Sequence, residues 1–137
     1  MDIIFSANNN EEVMVFPVVP PDIGPEIAQE NEDFESVAGR MKLIGNMGLK
    51  TLQIESFWPV NKNYSWVRSG SEPNGWRYVE FFEKWRSKKV PLRVIITTDN
   101  GATRLNMACL VNNLKWSVDK AGDIRYSLDI EEYRFAG

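Results

Sequence analysis

Residues 92–135 decide the fold, and they read LRVIITTDNGATRLNMACLVNNLKWSVDKAGDIRYSLDIEEYRF. Apolar and polar side chains alternate through most of this stretch, which is typical of β-strands with one buried face. Asn100-Gly101 interrupts the alternation and favours a tight hairpin, because both residues tolerate positive φ. A second turn lies over 119–123. The pattern predicts strands over 92–98, 104–111, 114–118 and 124–135, with a bulge at Glu131-Glu132 where the phase changes.

The N-terminal half predicts three further strands. Ile3–Phe5 and Val13–Phe16 form a short pair on either side of an Asn-rich turn, and Leu49–Trp58 alternates over a longer stretch. The proline-rich run 17–25 is expected to be an extended connector. The acidic run 26–35 is expected to be a solvated strand edge or a loop. Gly45–Gly48, which lacks the Lys-Ser/Thr of a phosphate-binding loop, is expected to be a turn.

One amphipathic helix is predicted over about 75–88. Its apolar stripe recurs at i, i+3, i+4 and i+7 and consists of Tyr78, Phe81, Phe82 and Trp85. Ser71–Asn74 can cap the start, and Pro91 prevents continuation. A lone helix among strands buries its stripe against a sheet. The predicted fold is a single domain over 1–137, mainly β (α+β), an antiparallel two-sheet sandwich or barrel with one flanking helix.

Composition argues against most catalytic chemistry. The chain of 137 residues has no histidine and one cysteine, Cys109, which lies in an apolar run and is expected in the core. Histidine-based acid–base catalysis, Cys-His nucleophile pairs and histidine metal sites are therefore excluded. The net charge of −3 disfavours a broad nucleic-acid footprint. We predict no enzyme, no cofactor, no metal and no membrane contact, and the N-terminus lacks a signal-peptide pattern, so we expect folding in a cytoplasm.

Two remaining patterns point to a surface rather than a reaction. Asp129 and Glu131 share one face of a strand, but a carboxylate pair of this kind is typical of a solvent-facing or interface-facing strand as well as of a glycosidase cleft. The loop 59–75 and its borders are rich in aromatic residues and Arg, the types that anchor interfaces. The predicted interface residues are Tyr64, Trp66, Arg68, Trp76 and Phe34. The run 31–40 is a candidate extension onto a neighbour.

Five segments, in the same order along the chain, resemble motifs of the XkdP-type tail proteins of the defective prophage PBSX and many Gram-positive myophages. The first, Phe16–Ile23, is similar to the family's opening, in which Pro-Val and Pro-Pro precede an acid and Ile. The others are Lys42–Asn46 with Leu49–Thr51, then Ser56–Pro59, the helix with Pro91–Thr97, and Asp123–Phe135. The resemblance spans about residues 13–135. Family members commonly carry a LysM module after this domain, and LysM contacts are not carried over to these 137 residues.

The resemblance implies a tail-tube-like domain in sixfold rings at the junction of tail tube and baseplate hub. The protein is then a structural subunit of a contractile phage tail or phage-tail-like particle. Its expected partners are further copies in a hexamer, the tail tube and the hub or spike proteins. The runner-up interpretation is a carbohydrate- or peptidoglycan-binding module, which requires exposed, co-planar Trp66 and Trp76.

Overall fold

The computed structural model of the chain describes residues 1–62 and 64–135. Their elements are β1 (Asp2–Ala7), β2 (Glu12–Val15), β3 (Glu32–Ser36), β4 (Gly39–Leu43), β5 (Thr51–Trp58), α1 (Trp76–Ser87), β6 (Leu92–Thr97), β7 (Thr103–Val118) and β8 (Ile124–Glu132). Six strands form one antiparallel sheet in the order β2-β1-β6-β7-β8-β5, and β3 pairs with β4 in a second sheet. The predicted mainly β fold, with two antiparallel sheets and one flanking helix, is confirmed. Within the described ranges, no helix is both long enough and apolar enough to span a bilayer.

The two strands predicted over 104–111 and 114–118 are one continuous strand, β7. Val111 pairs with Ile130 and Asn113 with Asp129, so Asn112 is an extra residue. Before the bulge the odd-numbered residues of β7 face the core, and after it the even-numbered residues do. Leu114 and Trp116 therefore face the same side of the sheet as Val111. The bulge predicted at Glu131-Glu132 is wrong, because β8 keeps its register through both residues and ends there.

Helix α1 begins one residue later than predicted and packs as expected, since Tyr78, Phe81, Phe82 and Trp85 are all buried. The start of the helix depends on the close approach of Gly75 to the backbone after β5, and not on a side-chain cap from Ser71–Asn74. A Cβ on Gly75 would lie 2.7 Å from the carbonyl oxygens of Trp58 and Pro59, so only glycine fits there. Asn74 contributes one bond, in which its side-chain oxygen accepts from the Trp76 amide at 3.2 Å.

The large sheet curls until its two edges share one aromatic core. Phe16 follows the edge strand β2, Trp58 ends the edge strand β5, and their ring centroids are 5.7 Å apart. In a flat six-stranded sheet these edges would lie about 24 Å apart. Trp58 also stacks on Tyr126 of β8, with ring centroids separated by 3.9 Å. The core therefore fills the inside of a curled sheet, with α1 covering the opening.

Two buried tyrosines in this core differ in how their hydroxyl groups are bonded. The Tyr78 hydroxyl donates to the Val15 carbonyl and accepts from the Glu72 amide, and burial raises its pKa. The Tyr126 hydroxyl lies close to Ser56 of β5 but forms no hydrogen bond of good geometry within the described residues. Of the two hydroxyl groups, that of Tyr78 is the one that satisfies backbone hydrogen-bonding groups, those of Val15 and Glu72.

We expect Tyr78→Phe to lower the free energy of unfolding by about 1–3 kcal/mol, because it leaves backbone groups of Glu72 and Val15 unsatisfied. Tyr126→Phe serves as the matched control and should be neutral or stabilising, since it removes an unbonded buried hydroxyl. Urea unfolding of both variants measures the difference. Equal losses would contradict the assignment of the bonds.

The acidic run and the segment after it form a two-stranded arm, residues 26–50, that the sequence analysis missed. Glu26 and Thr51 exchange both backbone bonds at its base, at 2.7 and 3.0 Å. The Glu30 amide then donates to the Asn46 carbonyl at 2.8 Å, and β3–β4 completes the hairpin. At about 3.3 Å per residue, the arm extends about 33 Å from Glu26 to Ser36.

Gly45–Gly48 lies in the returning segment of this arm, after β4, so the predicted turn is wrong. Met47 forms a bridge with Gln29, and the Gly48 amide donates to the Ala28 carbonyl at 2.7 Å. A Cβ on Gly45 would lie 1.4 Å from the Glu30 carbonyl oxygen. The glycine is required by the close approach of two strands and not by a reversal of the chain.

Candidate interaction surfaces

The loop 59–75 runs between the two edges of the large sheet and is tied to both. Val60 forms a bridge with Asn74 near the end of β5, and Val15 of β2 forms one with Ser71. The Arg68 amide donates to the Pro17 carbonyl at 2.9 Å. The loop therefore closes the gap that the curled sheet leaves between its edge strands. Asn63, which lies in this loop, is outside the described residues.

Asp123, the residue before β8, binds the first part of this loop through its side chain. Its Oδ1 accepts from the Val60 amide at 3.1 Å and from Lys62 Nζ at 2.9 Å, and its Oδ2 accepts from the Tyr64 hydroxyl at 3.1 Å. The residue is only 3% exposed. Burial alone would raise the pKa of this carboxyl, but the bonds from Lys62, Val60 and Tyr64 outweigh it and hold the pKa below its usual range. The carboxylate form is therefore part of the folded loop.

We expect Asp123→Asn to lower the free energy of unfolding at pH 7 by about 1–3 kcal/mol, because the amide cannot accept all three bonds. A carboxyl with a lowered folded pKa stabilises the fold above its unfolded pKa of about 3.9, and this contribution is lost as the pH falls through the folded value. The difference between wild type and variant should therefore shrink below about pH 4. Denaturant titrations from pH 7 to pH 2 measure it.

Asp22→Asn is the matched control for this prediction, because Asp22 is an exposed carboxylate in the connector before the arm. It should follow the wild type at every pH. A constant difference between Asp123→Asn and wild type across the whole range would show that the charge of Asp123 does not hold the loop.

Tyr64 and Trp66, two of the predicted interface residues, form an aromatic ledge on the outside of this loop. Trp66 stacks on Tyr64 with ring centroids 4.9 Å apart and an interplanar angle of 17°. It also meets Phe57 of β5 edge-on at 6.0 Å. Because Tyr64 is tied to Asp123, the ledge is fixed in orientation while Trp66 stays 53% exposed. We call Phe57, Tyr64 and Trp66 the loop ledge.

Trp76 belongs to a different cluster. It is the first residue of α1, is half-buried, and meets Trp116 of β7 edge-on with ring centroids 5.1 Å apart. Trp116 and Val118 face the same side of the sheet as the core, but both remain exposed, and Trp116 lies beside the first residue of α1. We call Trp76, Trp116 and Val118 the tryptophan patch. Trp116 and Val118 were not predicted, although their alternation with Lys115 and Ser117 is visible in the sequence.

Arg68 and Phe34 lie apart from both clusters. Arg68 Nε is 2.6 Å from Asp2 Oδ1, so its guanidinium ties the loop to the start of β1. Phe34 lies on the arm, opposite Met41, and is 38% exposed. The structure thus distributes the five predicted interface residues over the loop, the helix start and the arm. No ring contact joins Trp66 to Trp76 among the described residues, because Trp66 packs on Phe57 and Tyr64 while Trp76 packs on Trp116.

The residues weighed for chemistry do not converge. Asp129 and Glu131 face the same side of β8, where Asp129 is paired in register with Gln53 and Glu131 with Thr51. Cys109 is fully buried, and burial raises the pKa of its thiol to about 12, so it stays protonated and unreactive at neutral pH. In residues 1–62 and 64–135 no group of three or more Cys, Asp or Glu side chains is placed to hold a metal ion.

Comparison with known proteins gives no match for this chain, neither to a protein-family model nor to a curated protein.

Proposed function

We propose that the protein is a structural, ring-forming subunit of a contractile phage tail or phage-tail-like particle, at the junction of tail tube and baseplate hub. One observation carries the assembly part of this proposal: exposed large apolar side chains are concentrated on the arm. Eight of the 14 described residues of this kind lie there, namely Ile27, Phe34, Val37, Met41, Leu43, Ile44, Met47 and Leu49. Concentrated apolar exposure of this kind marks interaction sites.

The loop ledge and the tryptophan patch support the same conclusion. Both present tryptophan, a residue type enriched at the energetic centres of interfaces, on parts of the chain held in place by the fold. Trp66 is fixed through Tyr64 and Asp123, and Trp116 through pairing with β8 and contact with Trp76. Preformed surfaces lose little conformational entropy on binding.

The tail location rests on the resemblance of five ordered segments to XkdP-type tail proteins. The mainly β fold with one flanking helix is compatible with the tube-type domain that this resemblance implies, although many unrelated functions share such folds. Six copies, stacked between the tail tube and the hub or spike proteins, are the arrangement we propose. No catalytic step is required, since such a subunit acts through shape and complementary surfaces.

The location is tested by quantifying this chain in purified tail particles from cells that encode it. Quantitative mass spectrometry should find about six copies per particle, the number we propose for the ring. Gold-labelled antibody should bind at the baseplate end of the tube. Absence of the chain from the particles, or one or two copies on the tail axis, would overturn the proposal.

The two tryptophan surfaces are tested together by Trp66→Ala with Trp116→Ala. Both rings are largely exposed, so the monomer should stay folded while its incorporation into particles is blocked. Trp76 is left intact because it is half-buried and packs against the core. Phe135→Ala, which removes an exposed ring outside both surfaces, is the control and should be incorporated normally. Normal incorporation of the double variant would show that these surfaces are not interfaces.

A further inference from the structure

The two strands of the arm carry opposite charge. Residues 26–36 contain five acidic side chains and no basic one, the acids being Glu26, Glu30, Glu32, Asp33 and Glu35. Residues 39–50 contain three basic side chains and no acidic one, the bases being Arg40, Lys42 and Lys50. The arm therefore has an acidic side and a basic side, and the charges of both meet at its outer end, where Asp33 and Glu35 lie across from Lys42 and Arg40.

The arm also has two different faces. Asp33 lies opposite Lys42 and Glu35 opposite Arg40 on one face, with ion-pair distances of 3.6 and 3.8 Å. Phe34 lies opposite Met41 on the other face, and Leu43 lies there opposite Glu32. The charged pairs are exposed and contribute little by themselves. The apolar face is exposed as well, so nothing within the described chain buries it.

A ribbon of this kind is incomplete as it stands. An isolated two-stranded hairpin is marginally stable in water, and three or more strands with a hydrophobic face are needed for independent stability. Neither β3 nor β4 has a second strand neighbour within the described residues. Open edges are templates for pairing with another chain. The arm therefore has two edges of opposite charge beside which no further strand lies in the described part of the chain.

We propose that the arm pairs edge to edge with the arm of a second copy of this chain, acidic strand β3 of one against basic strand β4 of the next. This contact assumes that the protein forms a ring, as proposed above. It does not assume that the ring lies in a phage tail. Across each contact, Asp33 and Glu35 of one copy face Lys42 and Arg40 of its neighbour. The charged face becomes a ladder of alternating sign, since opposite charges are favourable in directly facing positions of a sheet.

Charge selects the symmetry of this contact. A twofold contact would place β3 beside β3, acid against acid, or β4 beside β4, base against base, and like charges facing each other are destabilising. A head-to-tail contact places acid against base each time. Rotation about an axis along the arms keeps all neighbouring strands antiparallel, because β3 and β4 run in opposite directions. Head-to-tail contacts form rings when the rotation closes.

The contact is tested with two variants of the full chain that each make the arm uniformly charged. Arg40→Glu with Lys42→Glu makes both strands acidic, and Asp33→Lys with Glu35→Lys makes both strands basic. Sedimentation velocity of the purified protein should show that the wild type associates with increasing concentration and that each variant alone is monomeric. An equimolar mixture of the two variants should associate again, because acidic and basic arms then alternate.

The mixing experiment distinguishes the loss of a contact between two copies from the loss of ion pairs within one hairpin. Both variants lose the ion pairs within their own arm, and mixing restores none of these, so renewed association requires pairing between chains. Thermal unfolding should show that each variant retains the wild-type midpoint, since the altered residues are exposed and lie outside the core. Association of either variant alone, a mixture that stays monomeric, or a wild type that stays monomeric at millimolar concentration overturns the contact. Each of these outcomes leaves the location of the chain in a tail as a separate question.

Discussion

Replacing Phe16 with alanine is expected to lower the free energy of unfolding by about 3–5 kcal/mol. Phe16 is fully buried, and its ring lies within 5.1–6.2 Å of five other rings, those of Phe5, Trp58, Tyr78, Phe82 and Tyr126. These rings come from β1, β5, α1 and β8, so one cavity would loosen both edges of the curled sheet and the helix at once. Equilibrium unfolding in guanidinium chloride measures the loss.

Phe135→Ala is the control for this variant, because it removes the same side chain from an exposed position. It should change the stability by less than about 0.5 kcal/mol. If the two variants were equally stable, Phe16 would not lie at the centre of the core, and the curl of the sheet would have to be held by other contacts.

Trp85→Ala is expected to cost about 3–5 kcal/mol as well, because it opens a cavity between α1 and the sheet. Trp85 is 1% exposed, and its Nε1 donates to Glu12 Oε1 at 2.8 Å. The substitution therefore also removes one of the bonds that tie the helix to β2. Calorimetric unfolding should show a lower midpoint and a smaller enthalpy.

Trp66→Ala provides the matched control, since Trp66 is an exposed tryptophan of the loop ledge. Its loss removes stacking on Tyr64 and should cost only about 0.5–1.5 kcal/mol. A Trp85 variant that unfolded at the wild-type midpoint would mean that α1 does not pack on the sheet through this residue.

The main sheet and the helix could be predicted because burial imposes a simple period on them. β6 and β8 each bury every second residue, and α1 buries residues at helical spacing. β7 was predicted as two strands because the Asn112 bulge shifts the alternation by one residue, which resembles a break in the sequence. Alternation of apolar and polar residues identifies strands, but it does not show that a bulge within one strand has shifted which residues face the core.

The arm could not be predicted because the usual signal of burial is absent from it. Apolar and polar residues alternate around Phe34 and over Arg40–Leu43, but no core lies beneath them. The acidic side chains therefore left a solvated strand edge and a loop as equal interpretations. The bonds between Asp123 and the loop 59–75 were missed for a different reason. One of them joins residues 63 positions apart, Val60 and Asp123, and no local spacing indicates such a bond. Where Trp66 and Trp76 end up was likewise decided by tertiary contacts with Phe57 and Trp116.

The order of strands in the large sheet also determines when the chain can fold as it is made. β1 lies in the sheet between β2 and β6, and β5 is the edge strand beside β8, so each waits for a partner synthesised much later. The N-terminal hairpin emerges with one edge open until residues 92–97 arrive, and β5 has no strand beside it until residues 124–132 arrive. Closing such distant pairs is slow, and β-rich domains of this kind fold in roughly milliseconds to seconds. The protein therefore completes its core only when residues up to 132 have left the ribosome, and until then the strands with open edges depend on their cellular surroundings to remain unaggregated.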